Sequence, residues 1–226
     1  GFRLLDDVDV TIPEDIHDLW MDRIERLVDH YPDEAGGDVL LALELAAALG
    51  RDVHGEEWHA VLSEADIEPP SALVDHLVER GLAERTNQGW SFTHGLLVDS
   101  IERRSREEGR WSGHHRTCAK MLASRPAPDR LGPRERIADH WIEGDQPEAA
   151  VDPLLEEISL CWDRGENGAR RRLLRRRGAI LDDLDVPEND RRRIIQRTEV
   201  ARTIAHDSDL QRARTRATEI WERLDP

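Results

Sequence analysis

Residues 82–100, LAERTNQGWSFTHGLLVDS, contain the pattern that decides the fold of the surrounding chain. The short runs LAER and WSFT flank TNQG, and an Asn- and Gly-containing turn between two alternating runs predicts a β-hairpin. After His94 and Gly95 the alternation gives way to a helical apolar pattern that includes Leu96 and Ile101. The segment therefore predicts a strand that passes directly into a helix, with His94 at the junction.

A histidine at the start of a helix can have two explanations. The first backbone N–H groups of a helix have no partner inside the helix, and the helix dipole adds positive partial charge there, which suits a bound anion. The same position is also an ordinary place for a polar residue that caps a turn or packs on a neighbour. The residues alone leave both interpretations of His94 open.

Helical periodicity on both sides of the hairpin predicts a mainly α protein. Three helices followed by a hairpin is the order of elements in a winged helix. The predicted helices cover 14–30, 39–50 with Asp38 as its cap, 54–66, 68–81, 94–108, 111–124 and a series of helical pairs after residue 133, the last pair divided at residue 209.

The predicted organisation has three parts joined by one clear linker. Residues 125–133, RPAPDRLGP, hold three prolines and a glycine and predict that linker. Helical pairs of about 30 to 45 residues beyond it resemble tetratricopeptide-type (TPR-like) repeats. The predicted domains are a helical lid remnant (1–36), a winged-helix domain with C-terminal helices (37–124) and TPR-like helical repeats (134–226).

The charge of the chain is concentrated in its first half. Residues 1–110 contain 10 Arg against 26 Asp or Glu, which accounts for the whole net charge of −16. Such a segment repels nucleic acid and anionic membranes. The third predicted helix carries Asp75 and Glu79 against a single Arg80, so the residues that should read DNA are acidic.

The remaining composition predicts a cytoplasmic protein without a membrane span. No stretch approaches the roughly 18 apolar residues of a transmembrane helix, and the acidic N-terminus is not a secretory signal. Cys118 and Cys161 make no disulfide framework. His114, His115 and Cys118 could supply metal ligands, but no further ligand pair occurs nearby and we interpret them as core residues, with no metal site.

The strongest basic run is RRRLLRRR, residues 170–177. Leu173 and Leu174 continue a buried stripe through it, so the arginines should form a solvated face around that stripe. A face that is simply solvated or that docks a protein is the favoured interpretation, and an anion or RNA surface is the alternative. The candidate partner-binding residues are Arg170, Arg171, Arg175 and Arg176. No Ser-His-Asp set, carboxylate pair or Gly-rich phosphate loop occurs, so this chain is not predicted to be an enzyme by itself.

Six segments in sequence order resemble the middle of a signalling ATPase of the STAND class. The similarity is greatest to the bacterial "predicted ATPase" regulators that are fused to Ser/Thr kinases, cyclases or DNA-binding output domains, and within them to the large protein kinase–AAA ATPase fusions. The segments are IPEDIHDLWMDRIERL, LALELAAALGRDV, LVERGLAER, WSFTHGLLVDSIERR, HHRTCAKML and IADHWIEGDQPEAAVDPLL. Because the chain also lacks an initiating Met, we expect a fragment of a longer protein.

The resemblance implies a role for His94. In that class a P-loop ATPase core precedes a helical lid, a winged helix that does not read DNA, and helical repeats. An aromatic-x-His element, akin to the "MHD" motif of NOD-like receptors, presents its histidine to the β-phosphate of bound ADP. Phe92, Thr93 and His94 match this element. Gly95 stands where the receptors have Asp, so a capping or latch role is not carried over to position 95.

The expected function that follows is regulatory, coupling an upstream nucleotide switch to partner sensing by the repeats. The intact protein would bind ADP or ATP with Mg, whereas this fragment would hold no cofactor itself. Its partners would be the upstream ATPase domain of the same chain and an unidentified protein on the repeats, with nucleic acid and membrane disfavoured. The alternatives are a winged-helix transcription regulator with a repeat sensor and a plain protein-interaction scaffold in which His94 only packs.

Overall fold

The computed structural model of the protein describes residues 14–125 and 132–224, and it gives the backbone alone for residues 14, 15, 33–35 and most of those after His206. The described residues form two compact units, one of residues 14–125 with Glu143–Asp145 and one of residues 132–142 with 146–224. Residues 1–13 of the predicted lid, 126–131 of the predicted linker and the last two residues of the predicted repeats lie outside the described residues.

Four helices of the first unit bury apolar faces in one core. In the first helix the buried residues Trp20, Ile24 and Leu27 follow the spacing of a single helical face. The second helix is apolar nearly all round and lies at the centre of the core. The predictions of these helices are confirmed, with different ends: α1 (Glu14–Val28), α2 (Asp33–Leu49), α3 (Gly55–Glu64) and α4 (Leu73–Glu79).

Helix α2 begins six residues earlier than the sequence predicts. Asp38 was expected to cap it, but the helix starts at Asp33 and contains Gly36 and Gly37. A Cβ atom on Gly36 would lie 3.1 Å from Cγ1 of Val28 at the end of α1. The prediction of a break was wrong because Gly36 allows close packing against α1 rather than ending a helix.

A three-stranded antiparallel sheet in the order β1-β3-β2 completes the first unit. The predicted hairpin is confirmed as β2 (Ala83–Thr86) and β3 (Gly89–Phe92), with Ala83 opposite Phe92. The sequence did not predict β1 (Asp52–His54), which pairs with the other edge of β3. The strand order therefore places β3, which leads to His94, in the middle of the sheet.

Aromatic packing fixes β3 on the helical core. Trp90 is 2% exposed and packs edge-on against Trp58 at 5.3 Å and against Phe92 at 4.8 Å between ring centroids. The Trp58 indole N–H donates to the Ala42 carbonyl of α2 at 3.0 Å. Two further helices, α5 (Gly95–Glu107) and α6 (Trp111–Ser124), follow the sheet close to where they were predicted.

The second unit consists of helices. Buried apolar residues of its second and third α-helices, among them Leu154, Ile158 and Leu181, form its core. Its elements are α7 (Pro133–Glu143), a short 3-10 helix (Pro147–Ala150), α8 (Val151–Asp163), α9 (Asn167–Asp183) and α10 (Arg191–Leu224).

The last predicted helical pair is wrong. We expected a helix to end at residue 209 and another to begin at residue 210, but α10 is a single helix of 34 residues. No Gly or Pro occurs between Arg191 and Leu224, so no residue interrupts the backbone hydrogen bonds. A polar stretch in a helix need not be a loop when it contains no helix-breaking residue.

The prediction of a mainly α fold is confirmed, with a small antiparallel sheet as its only β element among the described residues. None of the helices in residues 14–125 and 132–224 combines the length and the apolar character that crossing a bilayer requires.

Candidate functional site

His94 occupies the junction between β3 and α5. It is the N-cap residue of α5, with extended backbone angles of φ −131° and ψ 134°, and its side chain makes no capping hydrogen bond. Its carbonyl accepts a hydrogen bond from the Leu97 N–H at 3.2 Å. Its imidazole is exposed. The His94 side chain therefore lies at the start of α5 without capping that helix.

The two residues before His94 anchor this junction. Phe92 is fully buried, and its N–H donates to the Arg51 carbonyl at 3.0 Å. The Thr93 hydroxyl donates to the carbonyls of Gly81 at 3.0 Å and Leu82 at 3.2 Å. Phe92 and Thr93 therefore position the backbone of His94.

A ring contact fixes the place of the His94 imidazole. Its ring centroid lies 5.2 Å from that of Trp20 in α1, with the planes tilted by 42°. The guanidinium of Arg23 lies 4.8 Å from the same indole ring, and it also donates to the Arg80 carbonyl at 2.8 Å. Trp20 thus has aromatic and cationic neighbours, and His94 has an apolar support at the surface.

Arg51 adds a positive charge to the junction, and the sequence did not indicate it. Its Nε donates to the Phe92 carbonyl and its Nη2 to the Thr93 carbonyl, each at 3.2 Å. The side chain is exposed, so part of the guanidinium still faces solvent. In the sequence, Arg51 is marked only by its position directly after Gly50, which ends α2. Its contacts depend on the pairing of β1 with β3, and the sequence does not show that pairing.

The arrangement at the start of α5 suits a bound anion. The N–H groups of Gly95 and Leu96 have no acceptor in the described part of the chain, as expected for the first residues of a helix. His94 and Arg51 supply further donors beside them. A phosphate or carboxylate group placed there would meet the backbone donors and the imidazole, and the charge of the Arg51 guanidinium would favour it further.

The arginine candidates of α9 do not share one solvated face. Arg171 and Arg175 are exposed, as expected. Arg176 forms ion pairs with Glu135 at 3.5 Å and Asp139 at 2.5 Å within its own unit. Arg170 is a correction, because it is 1% exposed and its guanidinium lies 4.2 Å from the ring centroid of Trp162. It is a packed residue and presents no surface to a partner.

A buried carboxylate that the sequence analysis overlooked lies at the centre of the first unit. Glu44 of α2 is fully buried and accepts hydrogen bonds from Nη2 of Arg110 at 2.7 Å, Nε2 of His114 at 2.7 Å and the Ser105 hydroxyl at 3.2 Å. Burial alone would raise the pKa of Glu44, but the bonds from Arg110 and His114 outweigh it and lower the pKa to about 2. This cluster joins α2 to α5 and α6.

The same cluster explains His114. His114, His115 and Cys118 are all buried on α6, so their interpretation as core residues is confirmed. The His115 ring packs edge-on against Trp111 at 4.7 Å, and burial lowers the pKa of His115 to about 4. In the residues that the structure describes, no group of three or more His, Cys, Asp or Glu side chains could hold a metal ion.

Comparisons of the chain with protein-family models, with curated proteins and with solved structures each found no match.

Proposed function

We propose that this chain is the regulatory part of a multidomain signalling ATPase, coupling a nucleotide switch upstream to partner sensing by helical repeats. His94 is the nucleotide-sensing residue, and the phosphate that it contacts belongs to ADP held by an ATPase domain N-terminal to this chain. The observation that carries this proposal is the exposed His94 imidazole beside two open N–H groups and Arg51.

The order of elements in the first unit supports the winged-helix part of the proposal. Helix α2, strand β1, helices α3 and α4 and the β2–β3 hairpin follow one another as in that fold, and the sheet order is β1-β3-β2. A DNA-reading role gains no support from α4, which carries Asp75 and Glu79. Arg80, at its end, donates to the Arg26 carbonyl of α1 at 2.9 Å.

The expected size of the His94 contribution follows from the charge of its ligand. A hydrogen bond to a charged group contributes about 1.5–3 kcal/mol, which corresponds to roughly 10- to 150-fold in affinity. Arg51 would contribute through charge rather than through close contact, so its removal should have a smaller effect. The two residues together would make ADP affinity depend on the conformation of the β3–α5 junction.

The test is ADP affinity, measured by isothermal titration calorimetry on the protein extended N-terminally beyond Gly1. We expect His94→Ala to weaken ADP binding tenfold or more. His54→Ala is the matched control, because His54 is also an exposed N-cap histidine without a capping hydrogen bond, at the start of α3. Equal effects of the two substitutions, or no ADP binding by the extended protein, would contradict the proposal.

The contact between His94 and Trp20 favours a second candidate, a protein-interaction scaffold in which His94 only packs. This candidate predicts that His94→Ala lowers the melting temperature and leaves ADP binding unchanged. The same two variants therefore distinguish the candidates, since His94→Ala changes affinity in one case and stability alone in the other.

A further inference from the structure

A groove of about 680 Å³ lies between α9 and α10 in the second unit. We call it the α9–α10 groove. It is formed by two packed helices, and the Gln196 amide that lines it donates to the Leu174 carbonyl at 2.7 Å. Its other lining residues used below are Arg171, Arg175, Ala179, Asp182, Val200 and Ile204.

The α10 side of the groove is apolar and exposed. Val200 is 37% exposed and Ile204, one helical turn further, is 61% exposed. Both residues line the groove together with Leu174, which is 4% exposed. Covering the exposed side chains of Val200 and Ile204 removes apolar surface from water, so binding of a partner with an apolar face is favourable here.

The α9 side of the groove is cationic. Arg171 and Arg175 are exposed and one turn apart, and Arg175 forms no ion pair with any residue that the structure describes. Asp182, the acidic residue of the same edge, is already paired with Arg193 at 2.5 Å. Ala179 is small and leaves room for an incoming backbone. This edge therefore favours a partner with negative charge.

We infer that the α9–α10 groove binds an acidic amphipathic helix of a partner protein. Apolar side chains one turn apart on that helix would cover Val200 and Ile204, and acidic side chains on its flank would face Arg171 and Arg175. The groove extends from Gly168 to Asp182, which corresponds to about 21 Å of helix and to about 14 partner residues. This inference deepens the proposed partner sensing and rests on it.

The test is the binding of a fluorescein-labelled peptide of about 16 residues, long enough to fill the groove, with leucines along one helical face and glutamates along one flank. Fluorescence anisotropy on the 226-residue chain gives the affinity. We expect Ile204→Asp to weaken binding at least tenfold and Arg175→Glu to weaken it by about tenfold, since a like charge then faces the glutamates. This assay contains no nucleotide. An absence of peptide binding would therefore contradict this inference alone, whereas unchanged ADP affinity in His94→Ala would contradict the proposed function.

Each variant has a matched control on α10 outside the groove. Ile194→Asp introduces the same charge at a side chain that is 52% exposed, and Arg191→Glu reverses an exposed arginine. Both should leave peptide affinity unchanged, and circular dichroism melting should show all four variants folded. Equal binding of a peptide with lysines in place of the glutamates would overturn the inference. An equal loss of peptide affinity in the control variants would also overturn it. Self-association of the chain that Ile204→Asp abolishes would do the same, because a second copy would then occupy the groove.

Discussion

Replacing the buried Glu44 with glutamine should destabilise the first unit without changing its shape. The substitution keeps the size of the side chain but removes the negative charge that Arg110 and His114 share. The amide N–H groups of the glutamine would also place hydrogen-bond donors next to the donors of Arg110 and His114. Breaking one member of a buried charged cluster leaves the remaining charge without compensation, which is usually more costly than losing the hydrogen bonds themselves.

The magnitude follows from the pKa of Glu44. That pKa falls from an ordinary value of 4.5 to about 2, and the difference corresponds to about 3 kcal/mol of stabilisation at neutral pH. Because the folded-state pKa lies below the unfolded value, the contribution is present above pH 4.5 and is lost as the pH falls toward 2. Glu44→Gln should remove about the same 3 kcal/mol at neutral pH and weaken the acid dependence.

Hydrogen exchange measured by mass spectrometry reports this change helix by helix. Protection of α2 should fall roughly 100-fold at neutral pH, while α8 in the second unit serves as an internal reference. Glu64→Gln is the matched control, because Glu64 is an exposed carboxylate on α3. Protection of α2 that is equal in the two variants would refute the view that the Glu44 cluster holds α2 to its neighbours.

Three further substitutions test other contacts. Gly89→Ala should destabilise the first unit by about 3 kcal/mol or more in urea unfolding, because its Cβ would lie 2.2 Å from the Val53 carbonyl oxygen. Gly95→Asp should raise the melting temperature by a few degrees, about 0.5–1 kcal/mol, since nothing lies within 4 Å of its Cβ and an acidic residue suits the helix start. Arg177→Met should lower the free energy of unfolding by about 3 kcal/mol, since the fully buried guanidinium donates to the Val151 carbonyl and to Gln196. Arg171→Met is the control and should have little effect on unfolding.

The hairpin and its junction could be predicted because they depend on short-range patterns. Two alternating runs and a turn that contains both Asn87 and Gly89 specify β2 and β3, and the change of period at Gly95 marks the start of α5. Strand β1 has only three residues, too few to show a period, and it exists because β3 offers a free edge for pairing. Arg51 was overlooked for the same reason, since its bonds to Phe92 and Thr93 depend on that pairing.

The sequence around Glu44 contains a signal for a buried carboxylate. It is the single charged residue in the apolar run VLLALELAAALG, and a carboxylate in an all-round apolar helix is buried unless the helix is at the surface. Its partners could not be identified, because Arg110 and His114 lie more than 60 residues away in the chain. The need for a partner was therefore predictable, whereas the identity of that partner was not.

The arginine run of α9 shows why a block of like charges is not a single surface. Helical spacing places Arg170 and Arg177 on the buried side with Leu174, and Arg175 on the exposed side. The buried pair is tolerated because each guanidinium has a local partner, the Trp162 ring for Arg170 and backbone and side-chain oxygens for Arg177. Of the arginines that packing leaves exposed on α9, Arg171 and Arg175 line the α9–α10 groove, whereas Arg172 forms an ion pair with Glu135 of α7.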